Sequence, residues 1–218
     1  MSFSVDTLVV GPIEENCYVL KDEETNEGVI IDAGDNGQEI LAYVKDNGID
    51  VKLLVNTHGH WDHIGAVDVL RDALGVQLAI HREDAPMLTA SEEEMAVYSV
   101  FVGKKKPAEI LLEDGDVISF GKSSLKVIHT PGHTKGSVSY AIADGERKAV
   151  FTGDCLFHGS IGRSDFPGGD HKELLDSIGN QLFTLDGDYE VYPGHMGATT
   201  LQFEREHNPF MRHWGKDK

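Results

Sequence analysis

The sequence predicts an α/β protein in which two mixed β-sheets pack face to face with helices on both outer faces, a four-layer αββα sandwich. Three observations predict it. Short runs of β-branched and aromatic residues recur between turn residues, as strands do. Between them lie segments whose apolar residues fall at helical spacing. Groups of strands alternate with helices in both halves of the chain, an order that two covered sheets satisfy.

Taken in order, Leu8-Val9-Val10, Tyr18-Val19-Leu20 and Val29-Ile30-Ile31 read as strands. A helix with Ile40, Leu41 and Val44 on one face follows, and Asn47-Gly48 stops it. Residues 51–55 form a buried strand, from which a histidine-rich loop leads into a helix carrying Val67, Leu70 and Leu74. Residues 78–80 are the next strand. Ser91 as N-cap with Glu94 at the capping-box position starts a further helix. Lys104-Lys105-Lys106-Pro107 reads as a solvated loop or an anion contact. In the second half, strands are expected at 117–120, 125–128, 138–141 and 149–151. A helix with Leu174, Leu175, Ile178 and Leu182 follows, N-capped by Asp170. A late strand at 190–192 and a helix over 199–206 precede Asn208-Pro209.

The 218 residues carry 37 acidic and 19 basic side chains, a net charge of -18. Such a surface repels phosphate backbones and anionic bilayers, which argues against nucleic acid or membrane partners. Two cysteines, Cys17 and Cys155, make no disulfide scaffold. The start Met1-Ser2-Phe3-Ser4-Val5-Asp6 lacks a basic segment followed by an apolar run, and no apolar stretch reaches the ~20 residues of a membrane span. The expected compartment is the cytoplasm, and the expected partner is a small molecule.

The chemistry concentrates in Thr57-His58-Gly59-His60-Trp61-Asp62-His63. A loop there can aim His58 and His60 at one centre and Asp62 and His63 at its neighbour, with Gly59 giving the backbone freedom to turn. Imidazole nitrogens and carboxylate oxygens suit zinc, iron or manganese. The bland alternative is a polar surface loop; three histidines beside an aspartate weigh against it. Three further steps follow strands: Thr130-Pro131-Gly132-His133-Thr134, Thr152-Gly153-Asp154 and Tyr192-Pro193-Gly194-His195. Each alone is a weak signal; together they complete two metal spheres.

These motifs, in this order, resemble those of the metallo-β-lactamase-fold hydrolase superfamily, from about Val5 to Phe210. The resemblance implies that His58, His60 and His133 bind one metal, that Asp62, His63 and His195 bind a second, and that Asp154 bridges both. It implies two divalent ions, zinc foremost, with iron or manganese as alternatives, and a metal-bridging hydroxide as nucleophile. Asp62 would also orient the attacking water or take its proton. Asp32 resembles a position that orients a metal ligand, and it also reads as a turn-forming residue ahead of Gly34. Gly159-Ser160-Ile161-Gly162-Arg163-Ser164-Asp165-Phe166 and Asn208-Pro209-Phe210 resemble the short, single-domain type II glyoxalases, the hydroxyacylglutathione hydrolases, which cleave S-D-lactoylglutathione. Arg163 would bind a substrate carboxylate, or else pair with Asp165 and hold the loop. Residues 1–218 are then expected to form one hydrolase domain without a separate C-terminal helical domain. Arg212, Lys216 and Lys218 are too few to replace that domain's basic grip on glutathione. Cys155 stands where many relatives carry threonine and reads as a small buried filler or a thiol near the metals. Trp61 is expected to pack over the metal loop, and His158 and His171 to serve surface or capping roles.

The competing reading is an oxidoreductase on the same fold, the mononuclear iron persulfide dioxygenase, which uses the equivalents of His58, His133 and Asp154. Those enzymes tend to show Gly-Cys before Gly-Arg, whereas this chain has Ser160-Ile161 before Gly162-Arg163, which favours the hydrolase. A non-enzymatic metal-binding module predicts incomplete ligand spheres.

Overall fold

Strand β3 (Glu27–Ile31) buries every residue from Gly28 to Ile31. Because side chains alternate across a strand, its two faces feed different cores. Val29 and Ile31 join one cluster with Leu125, Val127, Tyr140 and Phe151, while Ile30 joins another with Ile40, Val44, Val67 and Leu70. A strand with no wet face needs cover on both sides, and that requirement builds the layers. The computed structural model describes residues 3–96 and 103–215; Met1, Ser2, Lys216 and Lys218 lie outside them.

The first sheet runs β1 (Phe3–Val10), β2 (Glu15–Asp22), β3, β4 (Asp50–Val55), β5 (Gln77–His81), β6 (Ile110–Leu112) in spatial order. β1 to β3 pair antiparallel and β3 to β6 parallel. The second sheet contains β7 (Val117–Phe120), β8 (Ser123–His129), β9 (Val138–Asp144) and β10 (Arg147–Gly153). A small two-stranded hairpin, β11 (Leu156–Phe157) with β12 (Ser160–Ile161), follows β10. β13 (Glu190–Pro193) joins β10 in parallel, and β14 (Thr199–Thr200) closes that side. Both sheets are mixed, as expected.

On the first sheet lie α1 (Gly37–Asp46), the single turn α2 (Trp61–Ile64) and α3 (Val67–Leu74). The single turn α4 (Glu92–Met95) carries the expected Ser91–Glu94 capping box. The second sheet is covered by α5 (His171–Ser177), which runs on as a wide turn over Ile178–Leu182, and by α6 (Leu201–His207). Leu174, Ile178, Leu182 and Leu201 pack there against Ile128, Val150 and Val191. The architecture is the four-layer αββα sandwich that the sequence predicts.

The elements differ from expectation at two places. The helix over 199–206 starts two residues later, because Thr199 and Thr200 pair with β13; Thr200 then caps the helix by accepting from the Phe203 amide at 3.2 Å. β6 was not foreseen; its parallel pairing with β5, from Ala79–Ile110 to His81–Leu112, makes it a strand. The Lys104–Pro107 stretch is the expected loop, with Lys104, Lys106 and Pro107 exposed, and it is tied to its neighbours. Buried Arg71 on α3 donates to the carbonyls of Lys106 and Pro107 at 3.1 and 2.8 Å, and Lys105 donates to Gly65 O at 2.9 Å. Among the described residues, no helix is long and apolar enough to cross a membrane.

Candidate metal centre

Each motif leaves the carboxyl end of a strand, where open α/β sheets collect ligands. Short backbone bonds lock the four loops together across the two sheets. Val138 N donates to Thr57 O, Gly194 N to Gly153 O and Asn16 N to Gly194 O, each at 2.8 Å. The Asn16 side chain donates to the carbonyls of Pro193 and Met196 at 3.0 and 2.9 Å. Asp62 and His63 lie on a helical turn rather than in a loop, closed by His63 N donating to His60 O at 3.0 Å. Gly59 also differs from expectation. Its backbone is outside the left-handed region, and what it supplies is space: a Cβ would stand 2.7 Å from the Met87 Cβ.

The seven side chains converge into overlapping groups: His58, His60 and His133; Asp62, His63 and His195; and His58, His63 and Asp154. His60 Nδ1 lies 3.0 Å from His58 Nε2 and 2.8 Å from His133 Nε2. Asp62 Oδ2 is 3.2 Å from His195 Nε2 and 3.6 Å from His63 Nε2. Asp154 lies between the groups. Its Oδ1 is 3.5 Å from His63 Nε2, and its Oδ2 is 3.6 Å from His133 Nε2 and 3.8 Å from His195 Nε2. Asp32, at φ 53°, is buried, and its carboxylate bonds go to Asn56, Thr57 and His63 rather than into a turn ahead of Gly34.

The outer partners fix which ring nitrogens carry lone pairs. His133 Nδ1–H donates to the Arg163 carbonyl at 2.7 Å, and His63 Nδ1–H to Asp32 Oδ2 at 3.0 Å. Thr57 Oγ1 donates to Asp32 Oδ2 at 2.7 Å, so it accepts from His58 Nδ1–H at 3.0 Å. In neutral rings, Nε2 of His58, His63 and His133 therefore faces inward as a lone pair, the arrangement metal-binding histidines adopt. Burial, and after it the neighbouring imidazoles, pushes His58 well below the usual histidine range and His60 down to about 3. Burial opposes a charge on His63 too, but Asp62, Asp32 and Asp154 outweigh it and raise that ring. Burial works against ionised Asp154 as well, yet His63, His133 and His195 hold its carboxyl below the ordinary range.

This donor set fits divalent cations. Nε2 of His63 and Oδ1 of Asp154 are buried and lack hydrogen-bond partners, a costly state unless something else neutralises them. Gly194 keeps the space beside them clear: a Cβ there would stand 2.3 Å from Asp154 Oδ1.

A cleft of about 260 Å³ opens over the group, lined by Ile13, His60, Trp61, Asp62, His133, Asp154, Arg163, Phe166 and His195. Arg163 makes a bidentate pair with Asp165 at 2.8 and 2.9 Å and stacks over Phe166 at 3.6 Å. It thus has the local role read as its alternative while still lining the cleft. Trp61 lines the cleft and does not merely cover the loop. Cys155 is buried, and burial pushes its thiol up to about 12, as suits a filler. His158 packs edge-on to Phe203, and His171 meets Ser164 Oγ at 3.3 Å; neither lines the cleft. Asp170 caps α5 by accepting from the Glu173 amide at 2.9 Å, as expected.

Asp84 escaped the sequence reading. Its buried carboxylate accepts from Gly59 N (2.9 Å), Thr134 Oγ1 (2.7 Å) and Gly136 N (2.7 Å), stapling the His58–His60 segment to the His133 loop. No local pattern marks it, because its partners lie 25 to 52 residues away. Glu15 was missed for the same reason. It is buried 3.7 Å from His63 Nδ1, and burial raises its carboxyl well above the ordinary range.

The sequence profile of the metallo-beta-lactamase superfamily matches residues 10–195. The chain belongs to that superfamily. Among curated members, it is 36% identical over 203 residues to the probable metallo-hydrolase YqgX of Bacillus subtilis, covering 93% of this chain and 94% of that protein. It is 32% identical over 210 residues to the hydroxyacylglutathione hydrolase GloC of Haemophilus influenzae, covering 95% and 98%. Among solved superfamily structures, the B3 metallo-beta-lactamase BLEG-1 superposes with a TM-score of 0.88 at 36% identity, over 96% of this chain and 100% of that one. TTHA1623 in a di-iron-bound form gives 0.83 at 35%, over 94% and 100%. ETHE1 from Myxococcus xanthus gives 0.77 at 30%, over 94% and 83%.

Proposed function

We propose that the protein is a binuclear metal-dependent thioesterase of the hydroxyacylglutathione hydrolase type, acting on small acyl-glutathione thioesters such as S-D-lactoylglutathione in the cytoplasm. The observation that carries the reading is Asp154, with Oδ1 toward His63 and Oδ2 between His133 and His195. A carboxylate so placed can serve two ligand sets at once, whereas a single iron would use it with His58 and His133 alone. The likeness to GloC along nearly the whole chain supports the substrate class.

In this reading His58, His60 and His133 would hold one ion, Asp62, His63 and His195 would hold the other, and Asp154 would serve both sets. Zinc is the first candidate, with iron or manganese also suited to these ligands. When bound, two divalent cations supply a water acidified toward neutral pH and a Lewis acid for the acyl carbonyl. Burial opposes a charge on Asp62, but His63 and His195 hold its carboxyl below the ordinary range, so it stays ionised to orient water and take a proton. Arg163 spends two of its five N–H groups on Asp165; the others remain for a glutathione carboxylate. Phe166 and Trp61 give the cleft apolar walls that exclude water.

The test pairs metal analysis with an oxygen-free assay on S-D-lactoylglutathione. Two metals per chain and oxygen-independent cleavage are expected. The second reading, a single-iron persulfide dioxygenase, draws on the likeness to ETHE1. One iron per chain with oxygen uptake on glutathione persulfide, and no thioester cleavage, would overturn the proposal in its favour.

A further inference from the structure

We propose that Glu204, on α6 and outside the cleft, is a positioning residue that latches the loop carrying Arg163. Glu204 is fully buried. Its carboxylate accepts from Gly159 N through both oxygens at 3.1 Å, from Thr199 Oγ1 at 2.7 Å and from Asn208 Nδ2 at 2.8 Å. Asn208 Nδ2 also donates to Ser160 O at 3.0 Å. Two side chains one helical turn apart thus hold the N–H of Gly159 and the carbonyl of Ser160, the tip of the β11–β12 hairpin. A carboxylate withdrawn from water is tolerated only when donors surround it, and here one of the three donors is the loop itself.

Besides these bonds the tip has the Phe157–Ser160 strand pairing and the edge-on contact of His158 with Phe203 on α6. His158 is exposed, and Gly159 and Ser160 are only half-buried. Past the hairpin the chain reaches the cleft at once. A Cβ on Gly162 would stand 1.8 Å from the Asp154 carbonyl, and the next carbonyl, that of Arg163, accepts from His133 Nδ1–H at 2.7 Å. The latch therefore sets where the Arg163 guanidinium sits along the rim. Its loss loosens the carboxylate-binding side of the cleft and leaves the Asp62, His63 and His195 set, held from β2 and β3, in place. The kinetic consequence rests on the thioesterase reading above.

The test compares Glu204→Gln with Thr199→Val, which removes the donor outside the loop. Both are read in the metal-loaded protein by amide hydrogen exchange over residues 157–163 and by steady-state kinetics on two thioesters, S-D-lactoylglutathione and an uncharged acyl N-acetylcysteamine. Glu204→Gln is expected to speed exchange at Gly159 about tenfold or more, the scale of one hydrogen bond to a charged group. It should raise KM for the glutathione thioester several-fold while kcat and the KM of the uncharged thioester hold, and Thr199→Val should change neither readout. Unchanged exchange over 157–163, or equal losses on both substrates, overturns the latch. A wild-type protein that cleaves neither thioester removes the functional reading instead, and the exchange measurement still decides the latch. If Glu204→Gln does not fold, Asn208→Ala, which cuts the contact to Ser160, answers to the same two readouts.

Discussion

Replacing Asp32 with asparagine tests how the His63 ring is oriented in the candidate metal centre. The backbone accepts the change, because Asp32 sits at φ 53° and asparagine tolerates that region well. Asp32 Oδ1 accepts from Thr57 N at 2.7 Å and Asn56 Nδ2 at 3.2 Å, while Oδ2 accepts from Thr57 Oγ1 at 2.7 Å and His63 Nδ1–H at 3.0 Å. An asparagine that keeps its oxygen toward Thr57 N turns its NH₂ toward His63 Nδ1. Two donors then face each other, and the His63 proton is driven to Nε2, where it occupies the lone pair aimed at Asp62 and Asp154. Loss of an orienting partner of this kind costs metal affinity about 10–100-fold, which is about 1.4–2.7 kcal/mol at 1.36 kcal/mol per decade. The fold should survive, since one charge-assisted hydrogen bond is worth about 1.5–3 kcal/mol against a typical ~5–15 kcal/mol of stability. The assay is a metal titration against a competing chelator, resolving two sites. The Asp62, His63 and His195 site is expected to lose more affinity than the His58, His60 and His133 site, which Asp32 reaches only through Thr57 Oγ1. Two wild-type affinities in Asp32→Asn would refute the tautomer argument, and equal losses at both sites would show a general distortion instead.

Other expectations follow from the same geometry. His60→Ala should abolish thioester hydrolysis with near-native circular dichroism, and unchanged turnover by a metal-replete variant would remove His60 from the centre. Arg163→Ala should raise KM for glutathione thioesters more than it lowers kcat; an unchanged KM leaves Arg163 as a loop residue tied to Asp165. At the far end of the sandwich, burial opposes a charge on Asp22, but Ser123 Oγ and the amides of Lys122, Glu24 and Thr25 hold its carboxyl at about 2. Its folded pKa lies below its unfolded one, so its stabilisation is complete above about pH 4 and fades as pH falls toward 2. Asp22→Asn should therefore lower Tm clearly at pH 7 and much less near pH 2.5; a Tm difference independent of pH would refute this.

What the sequence by itself determined was the set of elements and the residue types of the centre. Buried strands such as Val29-Ile30-Ile31 carry their pattern locally, and four ligand-type residues within Thr57–His63 announce chemistry before any fold is known. Strand ends followed by glycine and one ligand, as in Gly153-Asp154 and Gly194-His195, are legible for the same local reason. Only the tertiary structure decided which ring nitrogens face inward, because that depends on Asp32 and the Arg163 carbonyl, which lie 31 and 30 residues from the rings they orient. The same holds for Asp84, Glu15 and Glu204. Each is a single acid with no neighbouring motif, given meaning by groups that other strands and loops bring to it: donors around Asp84 and Glu204, and the His63 ring beside Glu15. Hydrophobic periodicity is written along the chain, whereas the partners of a buried charge are chosen by packing, and packing joins residues that the sequence keeps apart.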